Sequence, residues 1–194
     1  SDFIFGKGIT RGKILAAMLF GMFIAILNQT LLNVALPKIN TEFNITASTG
    51  QWLMTGFMLV NGVMIPATAF LMDKYTTRKL YIFSMAAFLI GSIIAALSPG
   101  FEILMVARII QAIGAGILLP LMQFTVFTLF PVEKRGFAMG LTGIVAQTAP
   151  AIGPTLTGLL IDFFSWRMPF YIVAAIALIA FAIGFFFVEN NGQT

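Results

Sequence analysis

Residues 103–130 read ILMVARIIQAIGAGILLPLMQFTVFTLF. In this run the single charged residue is Arg108. A helix that spans a bilayer needs about 20 mostly apolar residues, and this run exceeds that. A transmembrane β-strand would instead alternate over segments of about ten residues; here the apolar residues are continuous. Working outward, five further runs have the same character: Ile14–Leu36, Gln51–Met72, Leu80–Leu97, Phe137–Ile161 and Met168–Val188. The separators, Pro37–Gly50, Asp73–Lys79, Ser98–Glu102, Pro131–Gly136 and Asp162–Arg167, hold the charges and the helix breakers. The pattern predicts an all-α integral membrane protein with six transmembrane helices.

Composition agrees. Hydrophobic residues make up 59% of the chain and charged residues 9%, against about 25% charged in soluble domains. Too little polar surface exists to face water on all sides. With no cysteine and no histidine, thiolate chemistry, disulfides and the commonest general base and metal ligand are excluded. The carboxylates are Asp2, Glu42, Asp73, Glu102, Glu133, Asp162 and Glu189. They are scattered, so neither an enzyme nor a metal site is expected. The net charge of +4 is read as basic loops set against an anionic leaflet rather than as a nucleic-acid surface. With the N-terminus placed inside, Lys7, Arg11, Lys13, Lys74, Arg78, Lys79, Lys134 and Arg135 are inside, and only Lys38 and Arg167 are outside. The positive-inside rule therefore predicts both ends cytoplasmic. The expected organisation is a cytoplasmic segment over 1–13, a bundle over 14–188, and a polar tail or linker start over 189–194. No signal peptide is read at the N-terminus.

Several residues in the apolar runs carry chemistry. Arg108 lies about six residues into its helix, roughly 9 Å from the outer end at ~1.5 Å per residue. A permanent charge there is costly and is either paired or functional. Gln111, Ala112, Ala115 and Gly116 share its face, polar near the outside and small below. The first run carries Asn28, Gln29 and Asn33. Lipid offers these amides no partner, so they either join neighbouring helices or line an aqueous cavity. Asn28 falls at a depth close to that of Arg108. The fifth run contains Gly143, Gln147, Pro150, Gly153, Pro154 and Gly158, a smooth face that proline bends; bent helices mark transport pathways, with plain packing as the alternative. The second run delivers Asp73 to the inner edge beside Lys74, Arg78 and Lys79, as a gate latch or as ordinary topology-setting charge.

These segments, in this order, resemble the major facilitator superfamily, and most closely its drug:proton antiporter branch with fourteen spans. Leu27-Asn28-Gln29-Thr30-Leu31-Leu32-Asn33-Val34-Ala35-Leu36-Pro37 is similar to the branch's first-helix signature Leu-Asp-x-Thr-x-x-Asn-Val-Ala-Leu-Pro. Gln51-Trp52 fits the start of the second helix, and Ala69 to Lys79 resembles the loop motif Gly-x-Leu-x-Asp-Arg-x-Gly-Arg-Arg. Arg108-Ile109-Ile110-Gln111-Ala112-Ile113-Gly114 is similar to Arg-x-x-Gln-Gly-x-Gly, and Ala149-Pro150-Ala151-Ile152-Gly153-Pro154 with Gly158 resembles the antiporter motif of the fifth helix. Trp166-Arg167 before the sixth helix also matches. The chain departs from the patterns at Asn28, where the signature has Asp, at Ala69, Thr76 and Thr77 in the loop motif, and at Ala112.

The resemblance implies the N-terminal six-helix half of a major facilitator fold in a bacterial cytoplasmic membrane. It implies export of small amphipathic, often cationic drugs by proton-driven alternating access, with no cofactor. The expected partners are lipids, protons and either a second half or a second copy of the chain. Asn28, Gln29, Asn33, Arg108 and Gln111 are then the expected cavity residues; Asp73, Lys74, Arg78, Pro150, Gly153 and Pro154 are the expected gating residues. With Asn28 in place of Asp, proton coupling uses a carboxylate elsewhere, is relayed near a loop, or does not reside in this chain alone. The rival reading is a six-span structural or sensing module without transport of its own.

Overall fold

The computed structural model describes residues 11–187. They form six helices: α1 (Arg11–Glu42), α2 (Ala47–Lys74), α3 (Thr77–Leu97), α4 (Phe101–Leu129), α5 (Val132–Phe163) and α6 (Met168–Phe187). No strand occurs among the described residues. The first five are long and apolar enough to cross a membrane, and α6 is apolar over the shorter described stretch Met168–Ile183. Of the expected N-terminal segment 1–13 only the backbone of 11–13 is described, and the expected tail 189–194 lies outside the described residues.

The helices overrun the apolar runs, because polarity marks the edge of the lipid rather than the end of a helix. The expected separator Pro37–Gly50 shrinks to residues 43–46. Helix α1 continues through Pro37 and stops at Asn44, which adopts a left-handed φ of 52°. There the Ile45 N–H donates to the Asn40 carbonyl at 3.0 Å and the Asn44 N–H to the Thr41 carbonyl at 3.3 Å, the double closure that satisfies carbonyls at a helix C-terminus. The starts of α2 and α3 are fixed by threonine caps. Thr46 Oγ1 accepts from the Thr49 N–H at 3.1 Å and Thr76 Oγ1 from the Lys79 N–H at 3.2 Å, each satisfying a donor that the first turn leaves orphaned.

Helix α4 is central and packs on both α2 and α3; α3 packs also on α6, and α1 joins α5, α6 and α4. Glycines permit the closest crossings. A Cβ on Gly114 would lie 2.6 Å from the Ser84 carbonyl oxygen, and one on Gly91 2.9 Å from that of Ala107. Polar side chains pin the same contacts: Ser84 Oγ donates to the Gly114 carbonyl at 2.6 Å and Tyr81 Oη to the Ala17 carbonyl at 3.0 Å. Pro120 has no N–H to give to the Gly116 carbonyl one turn earlier. The Thr68 hydroxyl of α2 has the Met64 carbonyl at 2.7 Å and that of Gly116 at 3.3 Å, and its one hydrogen, shared between them, gives the group that proline leaves free a partner on a neighbouring helix.

Burial is uneven. In the spanning windows of α1, α3 and α4, between 50% and 61% of residues are buried, against 22% in α2 and in α5. The bundle therefore presents α2 and α5 as two largely uncovered helices flanking α1 and α4.

Candidate functional site

Three of the expected residues meet inside the bundle. Asn28 from α1 and Arg108 and Gln111 from α4 are each no more than 1% exposed. The Arg108 Nη1 donates to Gln111 Oε1 at 3.1 Å, and its Nε donates across to the Leu53 carbonyl of α2 at 3.3 Å. The guanidinium lies over the Phe57 ring, 4.2 Å from the centroid. Gln111 Nε2 donates to Ser92 Oγ of α3 at 2.9 Å, and the two amides of Gln111 and Asn28 face each other at 3.4 Å. Four helices thus converge on one polar cluster.

The geometry follows from the sequence. Gln111 is three residues from Arg108 and so lies on the same helix face. The absence of a side chain at Gly91 lets α3 approach Gln111, whose Cγ would stand 2.7 Å from a Cβ there. Among the described residues no carboxylate pairs with Arg108. Its charge is held by oxygen dipoles and a ring face, contacts that a buried cation requires where water is absent.

The other expected cavity residues stand apart. One residue along a helix turns about 100°, so Asn28 faces inward while Gln29 is half-buried and Asn33 is exposed. The small face expected on the fifth helix is divided as well. Gly153 is buried against α1, where a Cβ would meet Thr30 Cγ2 at 2.7 Å, whereas Pro150 and Pro154 are exposed and nothing lies within 4 Å of a Cβ on Gly143. Asp73 and Lys74 are exposed and Arg78 half-buried. Lys74 sits over the Phe70 ring at 4.6 Å, and among the described residues Asp73 forms no ion pair with Lys74.

Sequence reasoning did not single out Ser92, Phe57 or the Leu53 carbonyl. Ser92 carried a signal, a Gly-Ser pair in an otherwise apolar run; a backbone carbonyl carries none. It also missed a second cluster at the far end of α1. The Trp166 indole N–H donates to the Glu42 carboxylate, and Arg167 pairs with Glu42 at 3.6 Å. Arg167 Nη1 also donates to the carbonyls of Ala96 and Ser98 at 3.0 and 2.7 Å, closing the C-terminus of α3. Trp166 packs edge-on to Phe43 and Phe170. Because the ion pair is half-exposed, its own worth is small, but Trp166 is buried. Glu42→Ala orphans its N–H and is expected to cost about 1–3 kcal/mol, whereas Glu42→Gln keeps an acceptor and costs under about 1 kcal/mol. Thermal unfolding in detergent checks this; equal losses in both variants would contradict it.

Comparison with known proteins adds to this geometry. A family model described as the Major Facilitator Superfamily matches residues 18–193. The chain is 50% identical over 184 residues to a Bacillus subtilis protein named "Uncharacterized MFS-type transporter YcnB", covering 95% of this chain and 39% of that protein. It is 42% identical over 181 residues to the B. subtilis lincomycin resistance protein LmrB, covering 93% of this chain and 38% of that protein. It is 31% identical over 176 residues to the probable multidrug resistance protein EmrY of Escherichia coli, covering 91% and 34%. The chain therefore spans between a third and two-fifths of the length of these relatives.

Proposed function

Because this chain belongs to the major facilitator superfamily and is a multi-pass protein of the bacterial cell membrane, we propose that it is the N-terminal six-helix half of a multidrug exporter. The observation that carries this reading is the bare surface of α2 and α5. Two helices with most of their spanning residues uncovered, flanking the polar α1 and α4, suit a bundle that closes on a second one around a central cavity. A second six-helix half, or less economically a second copy, supplies the other wall. The names of LmrB and EmrY support small drugs as cargo; the many Phe and Met residues suit adaptable apolar ligands.

In this proposal the accessible amides Gln29 and Asn33 face the cavity. The Asn28–Gln111–Arg108 cluster lies behind them and sets the polarity of its outer part. Pro150 and Pro154 shape α5 where it meets the other half, and Gly153 lets it slide along α1. Asp73, Lys74 and Arg78 form the inner latch, with partners on the second half, and both chain ends are cytoplasmic. With Asn28 where the antiporter pattern has Asp, proton coupling runs through a carboxylate outside the described bundle interior.

The test is ethidium efflux from a pump-deficient bacterial strain expressing this chain alone or joined to a second six-helix half, with and without a protonophore. Protonophore-sensitive efflux only in the joined form supports the proposal. Efflux by the chain alone favours a dimer. A well-inserted joined protein without efflux of ethidium or lincomycin would overturn the exporter reading and leave the non-transporting module.

A further inference from the structure

We propose that the groove where α2 turns into α3 binds an anionic phospholipid. A cavity of about 400 Å³ lies there, lined by Leu71, Tyr75, Lys79, Leu80 and Phe83. Leu71 and Tyr75 come from the end of α2, and Lys79, Leu80 and Phe83 from the first two turns of α3. Although consecutive in the chain, α2 and α3 hardly touch, because each is packed onto α4. The cleft between them thus opens sideways to the bilayer.

The chemistry of the walls is divided as a lipid is. Leu71, Leu80 and the ring of Phe83, 55% exposed, form an apolar slot for the upper part of an acyl chain. Lys79 and Tyr75 also line it and are exposed, and tyrosine is favoured at the level of lipid head groups. In the sequence Lys74 and Arg78 flank these residues, with Asp73 as the single acid in this segment. Among the described residues no carboxylate pairs with Lys79, and its backbone is held by the Thr76 cap. A basic pocket between spanning helices at the membrane surface suits a phosphodiester head group. The same lysine disfavours a cationic drug, which separates this groove from the export path. The inference rests on the chain's place in a membrane and stands whether or not it exports drugs.

Native mass spectrometry of the purified chain titrated with phosphatidylglycerol, or with phosphatidylcholine of the same acyl chains, tests it. The expected result is preferential retention of phosphatidylglycerol. Lys79→Ala should weaken that binding about fivefold, the effect of one basic group near an anionic surface, and leave phosphatidylcholine unchanged. Lys134→Ala, at an exposed lysine in the first turn of α5, should change neither, and inorganic phosphate should not displace the lipid. Equal retention of both lipids, equal losses in the two lysine variants, or displacement by phosphate would each overturn the proposal. Lys79 is exposed, so its replacement leaves the fold intact.

Discussion

Arg108→Ala is expected to bring drug efflux down to background while the protein still inserts into the membrane. The side chain is 1% exposed and joins α4 to the Leu53 carbonyl of α2 and, through Gln111, to Ser92 and Asn28. Removing it leaves Gln111 Oε1 with the long Asn28 contact alone and opens a void costing about 2–5 kcal/mol. Stability and function must therefore be separated. Arg108→Met restores the volume without the charge, and apolar residues of similar size often replace buried ionic groups without loss of stability. The Met variant should recover most of the thermal stability but not the efflux. Arg108→Lys should also fail, since a single ammonium cannot reproduce the planar fork that donates in two directions and stacks on Phe57. Efflux rates normalised to membrane-inserted protein, with melting temperatures in detergent, decide between these outcomes. Wild-type efflux in the Met variant would remove Arg108 from the mechanism.

Gly114→Leu should prevent the bundle from folding. A Cβ there would stand 2.6 Å from the Ser84 carbonyl oxygen and 3.2 Å from the Phe88 nitrogen. Both obstacles are backbone atoms, so no rotamer change makes room. Extra methylenes in a close-packed core cost about 1–3 kcal/mol, and the cost is greater where the neighbour cannot move. Separation of α3 from α4 would also pull Ser92 away from Gln111. The contrasting substitution is Gly143→Leu, at a position with nothing within 4 Å of a Cβ. It should fold normally in the isolated chain yet impair efflux in the joined transporter, if α5 meets the second half as proposed. Fluorescence-detected size-exclusion chromatography reports the folding of each variant. A monodisperse Gly114→Leu protein, or an aggregated Gly143→Leu protein, would contradict the packing described here.

The contrast between these glycines shows what was legible beforehand. The number of helices was plain, because lipid demands long unbroken apolar runs and charges gather between them. The helix ends were not. Helix α1 continues for a turn and a half past Pro37 to a stop written in Asn44, and the Thr46 and Thr76 caps lie in stretches that polarity alone marked as loop. Arg108 and Asn28 were conspicuous as polar residues in apolar runs, and their spacing put them at a similar depth; that Gln111 joins them depends on the packing. Which face each amide takes depends on helix rotation, so Asn28 and Gln29, adjacent in sequence, end in different surroundings. Glu42 and Trp166 are 124 residues apart, a separation that no local pattern encodes. The small residues of α5 read as one face, but Gly153 is buried against α1 while Gly143 stands open. Only the packing of α1 shows which part of the stripe this bundle uses and which part it leaves open.

In the proposed exporter the uncovered side of the bundle closes around an aqueous path rather than facing lipid. The chain contains no cysteine, so single cysteines can be introduced against a clean background. Gln29→Cys and Asn33→Cys, in membranes carrying the chain joined to a second six-helix half, should react with a membrane-impermeant maleimide and be protected by a transported drug. Ile90→Cys, on the exposed side of α3 at 52% exposure, should remain unlabelled. Labelling at Ile90 equal to that at Gln29 and Asn33, or none at either amide position, would contradict the account.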